Sequence, residues 1–144
     1  MKYQIKKLSI NDFSVYEQNK LAGRSYFIPY NDKEKLLKQT VLTERYSSDR
    51  VTVLSGDWKF RYFEKISRLP TVIDTEGMSF DDIRVPSTWQ RTGYENPCYL
   101  NTRYEFSMTL PNVPDEMSAG VYFKKFTIRD ISNPIITFLG VCSS

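Results

Sequence analysis

An all-β fold, a jelly-roll β-sandwich entered through an extended N-terminal arm, is what this sequence predicts, and three observations predict it. Ten Tyr, nine Phe and two Trp make 15% of the 144 residues aromatic, an excess that favours strands over helices. From Val51 onward the chain breaks into about six short apolar runs separated by Gly, Pro and Asn turn chemistry, the spacing of a sandwich. Before Val51 only one stretch has helical spacing.

Along the first fifty residues, Tyr3, Ile5, Leu8, Ile10, Phe13 and Val15 stand at mixed intervals that satisfy neither period, so residues 2–16 are expected to lie extended on the surface. Asn19 to Tyr30 continues as an arm anchored by Tyr26, Phe27 and Ile28, and Pro29 ends any regular element there. The helix candidate is Asp32 to Leu42: Asn31 or Asp32 supplies a cap, and Leu36, Leu37 and Val41 fall near one face. Being short, it needs packing to persist.

The strand pattern then takes over. Val51 and Val53 alternate with Thr52 and Leu54, Ser55-Gly-Asp57 has turn chemistry, and Trp58, Phe60 and Tyr62 alternate with Lys59, Arg61 and Phe63. This predicts a hairpin with one buried face, Trp58 and Phe60 in the core. Pro70 to Gly77 is expected to be loop, and Phe80 to Val85 a strand ending at Pro86. Arg84 to Phe106 gathers Trp89, Tyr94, Tyr99, Tyr104 and Phe106 between two prolines and a glycine, with neither period. It reads as an ordered aromatic loop that enters a strand near Tyr99, and long structured loops usually serve function. Tyr99 to Leu110, Gly120 to Ile128 with a register break or bulge, and Ile135 to Val141 complete the strands. A jelly roll is normally built from about eight strands. The count therefore reads as an incomplete sandwich, a fragment of something longer, whose open edge is either left unpaired or satisfied by another chain. The division expected is an arm with a short helix over 1–50 and a truncated jelly roll over 51–144.

Charge and residue chemistry narrow the function. The net charge is +3, and residues 1–50 carry ten Lys or Arg against six acids, whereas 51–144 carry ten against eleven. The basic excess lies in the arm without clustered Arg or a groove-reading motif, so a contact surface is expected and nucleic acid is not. No histidine is present, and the two cysteines, Cys98 and Cys142, form no CxxC pair. Zinc sites of the usual ligand sets and nucleophiles activated by a histidine base are thereby excluded. Two lone cysteines and an N-terminus lacking a long apolar run predict a cytoplasmic protein that does not enter a membrane, its thiols free. Glu64, Glu95 and the Asp81-Asp82 pair are scattered, and each is expected to be solvated surface.

The chain resembles the N-terminal domain of family 2 glycoside hydrolases, and among them the bacterial β-galactosidases. Carrying the likeness are Asn19-Lys-Leu with Tyr26 to Tyr30, Leu54-Ser-Gly-Asp-Trp-Lys-Phe60, Val85-Pro-Ser-Thr-Trp-Gln90, Gly93-Tyr94, Pro97-Cys-Tyr-Leu-Asn101, Tyr104, Val113-Pro114, Gly120-Val-Tyr122, Phe126 and Phe138-Leu-Gly-Val141. One register runs through them from Asn19 to Val141. The related β-glucuronidases share the Gly-Asp-Trp-Lys-Phe-like strand but lack the Trp-Gln, Gly-Tyr and Tyr-x-Asn set. Glu105 stands where a proline usually follows the tyrosine, the turn at residues 114–120 lacks its usual Asn-Pro, and Thr102 and Cys142 replace other residue types, departures that bear on loop shape.

What the resemblance implies is a galactose-binding-domain-like jelly roll set against a TIM barrel that holds both catalytic glutamates. Retaining hydrolysis needs two carboxyls about 5 Å apart across the sugar, and no pair in this chain is assigned to them. Asn101, of the Tyr-x-Asn motif, would hydrogen-bond the galactosyl unit, and Thr102 would line the same pocket. By spacing alone, an Asn beside a strand is a turn residue or a backbone partner. Trp89, Tyr94 and Tyr99 would either stack on a pyranose ring or staple the loop. The resemblance also implies Mg and Na ions bound outside this chain, with none held here. As partners it implies the remaining domains of a β-galactosidase, a galactoside substrate and further copies in a homo-oligomer. Two rival readings are an autonomous carbohydrate-binding module and a structural piece whose edge pairs with a copy of itself.

Overall fold

A computed structural model of the chain describes residues 1–5, 14, 17, 19–38, 46–97, 114, 117–128 and 134–137. Within them lie five strands, in chain order β1 (Lys2–Gln4), β2 (Gly56–Phe63), β3 (Val72–Asp74), β4 (Asp81–Val85) and β5 (Ala119–Phe123). One helix, α1 (Lys33–Lys38), and two 3-10 turns, Ile66–Arg68 and Trp89–Thr92, complete the elements. All strand pairings are antiparallel. The fold is all-β, of the jelly-roll class expected.

The larger sheet has the order β4-β2-β5. β2 earns its central place by length: residues 56–60 pair with β4 (Trp58 opposite Ile83), and residues 59–63 pair with β5 (Phe60 opposite Tyr122). Alternation then sends Trp58, Phe60, Tyr62, Ile83 and Tyr122 to one face and Lys59, Asp82 and Phe123 to the other. Phe60 is fully buried and Ile83 nearly so, which makes the first face the core side. Trp58, expected in the core, is only half-buried, with its indole Nε1 donating to the Leu54 carbonyl at 2.7 Å.

That hydrogen bond explains why the expected hairpin over residues 51–63 does not form. The Leu54 carbonyl also accepts from Lys124 Nζ at 2.9 Å, so side chains take the acceptor a ladder would have used. Residues 51–55 stay irregular and Ser55-Gly-Asp57 leads into β2 instead of turning back. The second sheet, β1 with β3, replaces two irregular expectations, the surface arm at residues 2–4 and the loop at 72–74. Tyr3 lies opposite Ile73, which is buried, while Ile5 N donates to Thr71 O at 2.7 Å and Thr75 N to Met1 O at 3.0 Å. A three-residue strand offers too few alternating positions to stand out in sequence.

At its N-terminus α1 is capped as expected, Asp32 Oδ1 accepting from Glu34 N at 2.8 Å. Over the described residues it spans Lys33–Lys38, and Leu36 and Leu37 are exposed, the latter by 72%. Residues 39–42 of the expected helix lie outside the described set. β5 stops at Phe123 where a strand to Ile128 with a bulge was expected, and residues 124–128 have no ladder. Residues 134–137 likewise form no strand, and Ile135 and Ile136 are exposed. The strand expected over Tyr99 to Leu110 lies outside the described residues.

Candidate functional site

Between β4 and residue 97 the chain turns back over the core face, and local chemistry drives the turn. Arg91 N donates to Thr88 O and Thr92 Oγ1 to Trp89 O, closing one 3-10 turn. Gly93 ends it at φ 90°, a left-handed value that a Cβ would penalise, and Tyr94 N returns to Trp89 O at 3.1 Å. The reversal brings the rings of Trp89 and Tyr94 to the same side. Tyr94 meets Phe60 edge-on at 4.8 Å between centroids, Trp89 meets Tyr62 edge-on at 5.7 Å, and Tyr122 closes on Phe60 at 4.6 Å. Such tilted contacts suit the ring quadrupoles.

Gly120 leaves room for this lid. A Cβ there would stand 2.5 Å from Trp89 Cζ3 and 2.6 Å from Phe60 Cε2, so the indole lies directly against the β5 backbone. Trp89 and Tyr94 remain half-buried after packing.

Polar groups fasten the aromatic loop from three sides. Glu95 accepts at Oε1 from Tyr62 Oη at 2.8 Å and from Ser118 Oγ, and at Oε2 from Gln90 Nε2 at 2.9 Å. Tyr94 Oη donates to Asp81 Oδ2 at 3.0 Å. Burial first, and the bond to Glu95 second, pushes the Tyr62 phenol above its usual range. Burial and then the Asp81 bond do the same to Tyr94. The expectation of solvated surface holds for Glu64, Asp81 and Asp82, which are exposed, Asp82 pairing there with Lys59 at 2.7 Å and Glu64 with Arg68 at 2.6 Å, and is corrected for Glu95, which is half-buried. Sequence offers no local signal for a contact spanning 33 residues, as Tyr62 to Glu95 does. The available hint was that a half-buried tyrosine hydroxyl needs an acceptor.

A separate open cleft of about 580 Å³ lies against the Lys59 face, with Asp57, Trp58, Lys59, Phe80, Asp82 and Phe123 among its walls. Phe80 and Phe123 meet at 6.1 Å, and Lys124 and Lys125 place their ammonium groups over Trp58 and Phe123. Of the sequence candidates, Trp89 and Tyr94 are thus brought together, whereas Tyr99, Asn101 and Thr102 lie outside the described residues. Among the described residues no three His, Cys, Asp or Glu side chains gather as a metal site. Nor is any helix among them long and apolar enough to cross a membrane.

Comparison with known proteins agrees with the motifs. Residues 51–140 match the family described as "Glycosyl hydrolases family 2, sugar binding domain". A β-galactosidase of Staphylococcus xylosus is 32% identical over 119 residues, covering 83% of this chain and 12% of that protein. One from Psychromonas ingrahamii is 37% identical, covering 74% of this chain and 11% of that protein, and one from Vibrio cholerae is 41% identical over 82 residues, covering 53% and 8%. This chain therefore spans about a tenth of the length of the curated relatives it matches. No solved structure matches it.

Proposed function

The chain belongs to the sugar binding domain family of glycosyl hydrolases family 2, and from that premise we propose that it serves a β-galactosidase as the domain that supports the catalytic barrel and lends residues to the sugar pocket. The observation that carries this reading is the family match over 51–140, a range that takes in the larger sheet, the aromatic loop and Asn101 together. Catalysis belongs to two glutamates of the barrel. The carboxylates of Asp81, Asp82 and Glu95 are each bonded within this domain's own scaffold. Any Mg or Na ions the enzyme uses are held outside this chain.

Asn101 reads a galactosyl hydroxyl through its amide, which donates and accepts at once, and Thr102 lines the pocket beside it. The arm over 1–50 is tied to residues 71–76 by β1 and the residues flanking it, and beyond that strand it serves contact between copies in a homo-oligomer. Exposure of Leu21, Phe27 and Leu37 supports that assignment. With two lone cysteines and no CxxC pair, the setting that fits best is the reducing cytoplasm.

Asn101→Ala, made in the enzyme that carries this domain and its barrel, tests the reading. Loss of a sugar hydrogen bond is expected to lower kcat/KM for a galactoside by about tenfold while far-UV circular dichroism stays unchanged. Unaltered galactoside kinetics would remove Asn101 from the pocket.

A further inference from the structure

Three hydrogen-bond donors from three different parts of the fold converge on one carboxylate outside any motif. Tyr62 comes from the central strand, Gln90 from the 3-10 turn of the aromatic loop and Ser118 from the residue just before β5. Glu95 is the acceptor common to all three, and it is half-buried, which makes each bond costlier to lose than on an open surface.

We infer that Glu95 is the positioning residue of the aromatic loop: its carboxylate, accepting at both oxygens, holds the turn that presents Trp89 and Tyr94. The role depends on acceptor chemistry and not on side-chain size. An ionised carboxylate has no donor of its own, so both oxygens face donors without conflict. An amide of the same shape keeps one acceptor, which serves Tyr62 and Ser118, but turns an NH₂ group toward the NH₂ of Gln90. Either two donors then face each other or Gln90 turns its amide over and makes a neutral bond in place of a charge-assisted one, and both weaken the tie on the turn's own side. Tyr94, the residue before it, has a separate anchor at Asp81, so the loop is pinned to β4 by Tyr94 and to β2 and the residue preceding β5 by Glu95. This rests on the reading above only in that the loop faces sugar; the positioning itself is a property of this chain.

Amide hydrogen exchange on the 144-residue chain, with no sugar present, tests it. The amides of Arg91, Gly93 and Tyr94 are bonded inside the loop and report its opening, whereas the ladder amides of β2 report the sheet. Glu95→Gln is expected to speed exchange at the three loop amides by about tenfold, the order for losing a hydrogen bond to a charged group, with β2 unaltered. Adding Gln90→Glu to Glu95→Gln exchanges the two chemistries between the positions and is expected to restore protection, which a residue needed only for its bulk would not show. Unchanged loop exchange in Glu95→Gln overturns the inference, and so does failure of the paired exchange to restore it. Should Glu95→Gln also loosen β2, Ser118→Ala removes a single donor; a severalfold rise at the loop amides alone supports the role, and no rise overturns it. None of these outcomes depends on galactoside kinetics. A loop that loosens as expected while Asn101→Ala leaves kinetics untouched would sink the sugar reading and leave Glu95 in place.

Discussion

At single residues, two glycines hold the aromatic loop in place for different reasons. Gly93 has open space where a Cβ would go but sits at φ 90°, so Gly93→Ala is expected to cost about 1–2 kcal/mol through backbone strain alone. Gly120 is the reverse case, a steric one: Gly120→Ala drives a methyl into Trp89 and Phe60 and is expected to cost about 1–3 kcal/mol. Urea denaturation of the two variants gives both values, and Trp emission separates them, since only Gly120→Ala must displace an indole. Phe60 anchors the same cluster; full burial sets the cost of Phe60→Ala at about 3–5 kcal/mol, a large part of the stability of a domain this size. Phe60 was legible in sequence from its place in the alternation. Glu95 was not, because the donors that define it come from residues 62, 90 and 118 and meet only when the sheet forms.

The strands divide by length in how plainly they announce themselves. β2 and β4 carry five or more alternating positions and a proline stop at Pro86, and both emerge from pattern alone. β1 and β3 have three residues each and exist because they pair with one another. Their union is fastened electrostatically at the turn after β3. The Met1 ammonium lies 2.9 Å from Glu76 and 3.6 Å from Asp74. Backbone N–H groups of Glu76 and Gly77 hold Asp74 below the ordinary carboxylate range, and the bond to the N-terminus holds Glu76 below it. Groups with depressed values stabilise fully above their unfolded values and lose that contribution as pH falls through the folded ones. Acidification to below the carboxylate range is therefore expected to raise hydrogen exchange at Tyr3 and Ile5 before it reaches β2. Simultaneous loss of both sheets would contradict this order. Both carboxylates are solvent-accessible and screened, so the effect belongs to this small sheet and not to global stability.

For the molecule as a whole, the decisive prediction concerns autonomy. A domain that works by lending Asn101 to a pocket completed elsewhere is expected to show no saturable heat with galactose or lactose when titrated as the 144-residue chain. Saturable binding would favour a free-standing carbohydrate-binding module. Strand chemistry, the single helix cap at Asp32, the buried Phe60 and the family itself were all determined by local sequence, because alternation, capping and a contiguous motif are properties of neighbouring residues. Tertiary structure alone decided that Leu54 turns its carbonyl to two side chains and forms no hairpin. It also decided that the first residues of the chain pair with a segment seventy positions away, and that Glu95 gathers three donors. Each of those depends on which distant groups arrive together, and distance along a chain carries no mark of proximity in space.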